Sequence, residues 1–179
     1  MAKKESNFTN MVVTLFLVTL ISSTALGFVY NLTKNPIEAA KLAKKTQAIE
    51  NVIPGFTNNP FESAYKVPTD GGDSLTVYQA KEGDALIGYA VESYSNNGYG
   101  GTIRLMVGFQ PDGTINDISV IQHKETPGLG DKIQSNKSDW SDQFDGKNPT
   151  NFSLNVKKDG GDVDAITAST ISSRAYCKA

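Results

Sequence analysis

The amino-terminal part of the chain carries the sequence feature that most constrains its fold. No charged side chain occurs between Glu5 and Lys34, and most of the residues in this run are apolar. The run is longer than the roughly 20 apolar residues with which a helix crosses a bilayer, and Lys3 and Lys34 mark its two flanks. We therefore predict a transmembrane helix over about residues 9–31 and the membrane as a partner.

Two properties of this segment leave alternatives open. The small residues from Ser22 to Gly27 also fit the cleavage region of a secretory signal peptide. We favour a retained anchor because apolar residues resume at Phe28 and Val29. The same small and hydroxylated residues suit either packing against other membrane helices or hydrogen bonding back to their own helix.

The lysines that flank the segment bear on its orientation. Lysines are more numerous on the trailing side, up to Lys45, than on the leading side. By the positive-inside rule this count places the rest of the chain in the cytoplasm. The trailing lysines alternate with Glu38 and Glu50, however, so the count alone does not decide the orientation.

A second helix and a connector are predicted after the membrane segment. Asn35, Pro36 and Glu38 form a helix-start pattern with a capping residue, a first-turn proline and a glutamate. This helix is expected to end near Val52, before Pro54-Gly55, and an irregular connector should follow over residues 56–72. The predicted divisions are an amino-terminal segment, a helix with connector, and one domain, over 1–34, 35–72 and 73–179.

Alternating apolar residues predict an antiparallel sheet in the domain. Two hairpins are expected, with turns at residues 81–84 and 111–113. A short helix or loop at Trp140 and Phe144 should precede another strand over residues 152–156. Because helices and strands are segregated along the chain, the predicted class is α+β, and a parallel dinucleotide-binding fold is excluded.

Composition and charge exclude several classes of protein. The chain has 17 Lys and Arg against 19 Asp and Glu, a net charge of −2, and its acidic excess lies after residue 55. An acidic domain argues against nucleic acid as a partner. With one cysteine, Cys177, and one histidine, His123, neither an internal disulfide nor a zinc site is expected. We predict no catalytic residue in this chain, and interpret Asp139, Asp142 and Asp145 as a solvated surface.

The most informative candidate site lies near the carboxyl terminus, over residues 164–173. Thr167 can cap a helix that begins at Ala168, which puts Thr170 in the first turn. Unpaired backbone N–H groups and the helix dipole at such a position favour an anion such as a phosphate. The alternative is an ordinary capped helix whose hydroxyl groups face water.

Two glycine-containing loops are further candidates. Residues 125–130 follow a predicted strand and read Glu-Thr-Pro-Gly-Leu-Gly, while residues 97–101 read Asn-Gly-Tyr-Gly-Gly. Glycine lets the backbone approach a flat ligand closely. A tight turn and a hairpin loop, respectively, explain the same residues without a ligand.

The two segments 125–130 and 167–172, in this order behind one membrane helix, carry a family resemblance over nearly the whole chain. They resemble the FMN-binding domain of the RnfG and NqrC subunits of bacterial ion-translocating electron-transport complexes. In that family the pattern Ser/Thr-Gly-Ala-Thr-x-Ser/Thr holds FMN on its second hydroxyl position, which is Thr170 here. Thr167 and Ser172 also match, whereas Ala168 replaces glycine and Ser169 replaces alanine.

The resemblance implies a covalent cofactor: FMN joined through a phosphodiester to Thr170 by a separate flavin transferase. The glycine-containing loops would lie against the flavin, with Thr126 and Lys132 as polar contacts. The implied cofactor-binding residues are Thr170, Thr167, Ala168, Ser169, Ile171, Ser172, Glu125, Thr126, Pro127, Gly128, Leu129, Gly130, Lys132, Tyr99, Gly100 and Gly101.

The resemblance also implies an electron-relay subunit of an ion-translocating ferredoxin:NAD oxidoreductase. Its partners would be the other membrane subunits of an Rnf-type complex. It would sit in the bacterial inner membrane with its FMN domain on the periplasmic side. The alternatives are an NqrC-type subunit of a sodium-translocating NADH:quinone reductase, which is usually longer than 179 residues, and a non-redox, membrane-anchored anion-binding module. A soluble flavoenzyme with its own substrate is less well supported, since no acid, base or nucleophile stands out.

Overall fold

A computed structural model describes residues 7–69 and 72–179 of the chain. The chain divides after Ala43 into two compact units. The first unit belongs to the helix α1, Phe8–Val52, and the second contains the last turns of α1 together with all the other elements.

The helix α1 is uninterrupted, so the prediction of a new helix starting at Pro36 is wrong. Pro36 lies inside α1. A proline in a helix interior removes one backbone hydrogen bond and usually marks a boundary, which is why the sequence pattern suggested a start there. Here good helix formers on both sides, including Ala39 and Ala40, continue the helix across it.

Among the described residues, α1 is the one helix long and apolar enough to cross a membrane, and its apolar window is wholly exposed. The predicted span of about residues 9–31 lies within it. The hydroxyl groups of Thr19, Thr24 and Thr33 donate to carbonyl groups of their own helix at 2.8–2.9 Å. Since these polar groups are satisfied locally, they need no partner helix.

The second unit contains a five-stranded antiparallel sheet, which confirms the α+β class and both predicted hairpins. The strands occur in spatial order β1 to β5. Strand β1, Tyr65–Pro68, falls in the predicted irregular connector. It is a four-residue strand that ends in a proline, and all four of its residues are exposed, so it lacks the longer alternating pattern by which the other strands were predicted. The other strands are β2 (Ser74–Glu82), β3 (Ala85–Gly98), β4 (Gly101–Phe109) and β5 (Ile115–Gln122).

One face of the sheet packs against the last turns of α1. Ile49 and Val52 are fully buried there, together with Met106 from the sheet. Gly108 permits this contact, because a Cβ atom at its position would lie 2.4 Å from the carbonyl oxygen of Val52. The helix and the sheet therefore approach each other through backbone as well as side chains.

The opposite face carries the larger core. Side chains from β4 and β5 pack there against short 3-10 helices at Gly130–Ile133 and Trp140–Phe144, and against α2, Thr170–Lys178. A third 3-10 helix, Lys157–Asp159, is exposed. The strand predicted over residues 152–156 is wrong. Val156 makes only an isolated bridge to Val163, and Phe152 packs on the ring of Phe144. The alternating pattern there reflects a loop that docks alternate side chains on the core.

Candidate functional site

The amino-terminal end of α2 differs from its prediction by two residues. The helix begins at Thr170, with Ser169 at the N-cap position, and not at Ala168 with Thr167 as cap. Ala168 has a φ of +61°, a left-handed conformation that cannot form part of a right-handed helix. Thr170 nevertheless lies in the first turn, as predicted.

Ser173 stabilises this end of the helix from the inside. Its hydroxyl group accepts the N–H of Ile166 at 2.9 Å and donates to the carbonyl oxygen of Ser169 at 3.1 Å. Ser173 is fully buried. A side chain within the helix thus ties the segment before α2 to its first turn, whereas the N-cap residue Ser169 makes no side-chain capping bond.

The first turn of α2 presents unpaired backbone donors. Within the described part of the chain, the N–H groups of Thr170, Ile171 and Ser172 have no protein acceptor, and the first backbone bond runs from Ser173 to Ser169. Such N–H groups, at the positive end of the helix dipole, stabilise an anion. The arrangement suits a phosphate group next to the Thr170 hydroxyl.

These donors border a cavity of about 550 Å³, a volume typical of cofactor sites. Three segments form its wall: the turn between β3 and β4, the loop after β5, and the start of α2. Ten residues line it, and all of them belong to the predicted set: Tyr99, Glu125, Thr126, Leu129, Gly130, Ala168, Ser169, Thr170, Ile171 and Ser172.

The remaining predicted residues lie outside this lining. Pro127, Gly128, Lys132 and Thr167 are exposed. Gly100 and Gly101 form the turn into β4. Contact with a cofactor stays a prediction for these six residues and for the ten that line the cavity.

The rim of the cavity is apolar. Tyr99, Leu129 and Ile171 are 72%, 44% and 50% exposed. Each comes from a different one of the three wall segments. An apolar rim around a polar floor is the combination expected for a ligand with an apolar ring system and a charged group, so the residues present fit FMN.

Glu125 joins the three wall segments. Its side chain is buried, with 5% of the residue exposed. One carboxyl oxygen, Oε1, accepts the N–H of Gly100 at 2.9 Å, and the other, Oε2, accepts the hydroxyl of Ser172.

Glycines next to Glu125 make room for other parts of the protein. A Cβ atom at Gly130 would lie 2.6 Å from the Ser172 hydroxyl oxygen and 2.8 Å from Oε2 of Glu125. A Cβ atom at Gly100 would lie 1.9 Å from the carbonyl oxygen of Lys124. These glycines therefore allow the loops themselves to pack closely.

Two residues near the site were not predicted as part of it. His123, expected to be an ordinary strand-end residue, accepts the N–H of Glu125 on Nδ1 at 3.1 Å. Asp131 is 9% exposed, and its Oδ1 atom is buried without a hydrogen-bond partner among the described residues. The first contact is local but depends on the backbone conformation after β5, and the second depends on tertiary burial, so no sequence pattern identified them.

The clearest pKa shifts occur outside the cavity. Burial, with further contributions from the charges of Asp117 and Asp142, raises the pKa of Asp145 to about 6. Burial raises the pKa of the Cys177 thiol to about 11. A thiol with so high a pKa is a poor nucleophile at neutral pH.

Comparison with known proteins identifies the domain that contains this site. Residues 98–179 match the family model of the FMN-binding domain. The matched range contains all three segments of the cavity wall.

Several relatives match over most of the chain. The G subunit of the ion-translocating oxidoreductase complex of Salmonella typhi is 40% identical over 167 residues, covering 88% of this chain and 80% of the relative. The protein of the same name from Haemophilus influenzae strain PittEE is 40% identical over 154 residues, covering 82% and 74%. That from Shewanella amazonensis is 33% identical over 169 residues, covering 89% and 79%.

These similarities confirm the resemblance drawn from residues 125–130 and 167–172, and they favour the RnfG-type chain over the NqrC-type alternative. The long apolar helix α1 fits a single-pass membrane protein. The chain belongs to the family of G subunits of ion-translocating oxidoreductase complexes, and its carboxyl-terminal part is an FMN-binding domain.

Proposed function

We propose that this chain is a membrane-anchored redox subunit that relays electrons through FMN attached covalently to Thr170. When bound, FMN supplies one- and two-electron transfer chemistry. The observation that carries the proposal is the position of Thr170, in the first turn of α2, beside unpaired N–H groups and on the wall of the cavity.

The environment of Thr170 fits a phosphodiester. Such a link keeps one negative charge, which the N–H groups of Thr170, Ile171 and Ser172 can stabilise. A covalent link also prevents loss of the cofactor during repeated oxidation and reduction. Among the described residues, the cavity lining includes no histidine or lysine that could act as a base. None is required if a separate flavin transferase uses FAD as donor: the Thr170 oxygen bonds to the phosphorus of the FMN phosphate, the pyrophosphate bond of FAD breaks, AMP leaves, and the transferase takes the hydroxyl proton.

The chain's partners follow from what its sequence lacks. With a single cysteine it cannot hold an iron–sulfur cluster of its own. It also has no glycine-rich dinucleotide fingerprint. Electron donor, electron acceptor and ion path would therefore belong to other membrane subunits of an Rnf-type complex.

The proposed location is the inner membrane, with α1 as anchor and the FMN domain on the periplasmic side. The lysine count on the two sides of α1 runs against this orientation, but attachment of flavin in the resembling family is extracytoplasmic. Protease treatment of intact spheroplasts tests the orientation. Cleavage of the domain supports a periplasmic side, and protection until the cells are lysed contradicts it.

Flavin attachment is tested on the full chain co-expressed with a flavin transferase. In-gel fluorescence of the denatured protein under ultraviolet light should show a flavin band for the wild type and none for Thr170→Val. Thr76→Val is the matched control, since it removes a threonine hydroxyl in β2, away from the cavity lining, and it should keep the band. An unlabelled wild-type chain would favour the non-redox anion-binding module instead.

A further inference from the structure

We propose that Glu125 is a positioning residue, whose carboxyl group holds the first turn of α2, and thereby Thr170, in the geometry needed for flavin attachment. The inference rests on the proposed function. It assigns to Glu125 a structural action on the attachment residue, beyond forming part of the cavity wall.

The hydrogen bonds of Glu125 connect two opposite parts of the wall. Ser172, which donates to Oε2, lies in the same helical turn as Thr170, only two residues further on. Gly100, which donates to Oε1, follows directly after Tyr99 on the cavity rim. One carboxyl group thus bridges α2 and the turn between β3 and β4.

The space around Glu125 is shaped to hold a carboxyl group. A Cβ atom at Gly98 would lie 2.7 Å from Oε1, and one at Gly130 would lie 2.8 Å from Oε2. A side chain at Gly98 would therefore obstruct Oε1, and one at Gly130 would obstruct Oε2. This slot restricts where the carboxyl group can lie and so fixes its two acceptor atoms.

The backbone of Glu125 is held as well. Its N–H donates to Nδ1 of His123 at 3.1 Å. His123 follows directly after the end of β5 at Gln122. The bridge between α2 and the β3–β4 turn is therefore tied to the sheet itself.

The electrostatics of Glu125 argue against a role in stability alone. In the described part of the chain no lysine or arginine forms an ion pair with it. Burial of a carboxyl group with neutral donors only is costly, and an apolar side chain in its place often supports the fold equally well. What an apolar side chain cannot supply is two acceptor atoms aimed at two separate segments.

The test compares Glu125→Ala with Glu125→Gln in the full chain. The glutamine can still accept from Gly100 and can donate to the Ser172 oxygen, so it preserves the bridge, whereas the alanine removes it. The initial rate of FMN attachment, followed by intact mass at a temperature well below unfolding, should fall by about tenfold or more in Glu125→Ala. Glu125→Gln should restore the rate to within about threefold of the wild type.

Glu92→Gln is the matched control, because Glu92 is another largely buried glutamate, with a side chain 11% exposed, but does not line the cavity. It should leave the attachment rate unchanged. A second measurement uses the chain without flavin. Amide hydrogen exchange at residues 173–175, whose N–H groups bond within the first turns of α2, should accelerate in Glu125→Ala and in Ser172→Ala, which removes one half of the bridge. Exchange at Gly100 should accelerate in Glu125→Ala, and all of these amides should be unaffected in Glu92→Gln.

Two results would overturn the inference. One is attachment by Glu125→Ala at the wild-type rate; the other is a Glu125→Gln rate as low as that of Glu125→Ala, which would assign the effect to charge and not to hydrogen bonding. If instead the wild-type chain never gains FMN, the proposed function fails. Hydrogen exchange still tests the bridge in that case: unchanged exchange at residues 173–175 in Glu125→Ala would refute it.

Discussion

The two faces of the sheet are built in different ways. On the α1 side the buried side chains are apolar, or tyrosine, and a partly buried ion pair joins Lys45 to Glu92 at 2.7 Å. On the α2 side the core is larger, and the buried polar residues accumulate there: Ser93, Ser95, Glu125, Asp131, Ser141, Ser169, Ser172 and Ser173.

This difference places most of the buried polar groups, including those of the candidate site, on the α2 side of the sheet. Burial of polar groups has a cost in stability unless each group is hydrogen-bonded. The cost in stability falls mainly on the α2 side, where buried polar groups form the cavity wall and the hydrogen-bonded bridge through Glu125. The α1 side buries few polar groups, so it bears little of this cost, and its apolar side chains support the sheet from behind the candidate site.

The largest expected effect comes from truncating the aromatic core on the α2 side. Phe144 is 1% exposed and contacts the rings of Trp140, Phe152 and Tyr176. Phe144→Ala should lower the free energy of unfolding by about 3–5 kcal/mol, since a large cavity replaces the ring. Thermal unfolding of the purified chain measures this, and the rate of FMN attachment should fall as well.

A core truncation on the α1 side should separate stability from flavin attachment. Ile49 is fully buried, and Ile49→Ala should lower the free energy of unfolding by about 2–4 kcal/mol. Well below the unfolding temperature, its rate of FMN attachment should equal that of the wild type. A specific attachment defect in Ile49→Ala would show that the two faces are not separable.

The ion pair on the α1 side should contribute less. Oε2 of Glu92 binds Lys45 at 2.7 Å and accepts the Tyr78 hydroxyl at 3.1 Å. Because the Lys45 side chain is 34% exposed, solvent screens the pair, and Glu92→Gln should cost about 1 kcal/mol. Added salt should reduce the difference in thermal midpoint between this variant and the wild type.

Asp145 gives the α2 side a pH-dependent contribution to stability. Its pKa is raised to about 6 in the folded chain, from an ordinary value of 3.8. The folded state therefore binds this proton more tightly than the unfolded state, and stability is lost as the pH rises through 6. Asp145→Asn should raise the thermal midpoint at pH 8, and the gain should vanish near pH 4. A gain of equal size at both pH values would contradict this assignment.

The smallest effect is expected at Ala168. Its φ of +61° is unfavourable for any residue with a Cβ atom. Ala168→Gly removes this strain but adds freedom to the unfolded chain, so the net gain should be about 0.5 kcal/mol. A loss of stability would indicate that the methyl group of Ala168 makes a favourable contact.

The sequence predicted those parts of the fold that local patterns determine. Alternation and turn residues identified the hairpins of β2–β3 and β4–β5, because the two-residue period of a strand and Gly-containing turns are local features of the sequence. Three features of the fold were not predicted, because they depend on the tertiary structure. Pro36 is tolerated inside α1, β1 is an exposed edge strand, and the alternating side chains at residues 152–156 are buried by a loop.

The candidate site was predicted more fully than the fold around it. All ten cavity-lining residues were identified, mostly through the family resemblance and not through physics alone. The start of α2 was misplaced because no local pattern reveals that Ala168 adopts a positive φ. The bonds of Glu125 to Gly100 and Ser172 join residues 25 and 47 positions away, and only the folded chain brings them together.

Fragment-ion mass spectrometry of the matured protein tests the central claim most directly. After co-expression with a flavin transferase, the peptide that contains residues 167–173 should carry the mass of FMN, and the fragment series should assign it to Thr170. Unmodified peptide throughout, or an adduct on Thr167, Ser169 or Ser172, would contradict the account.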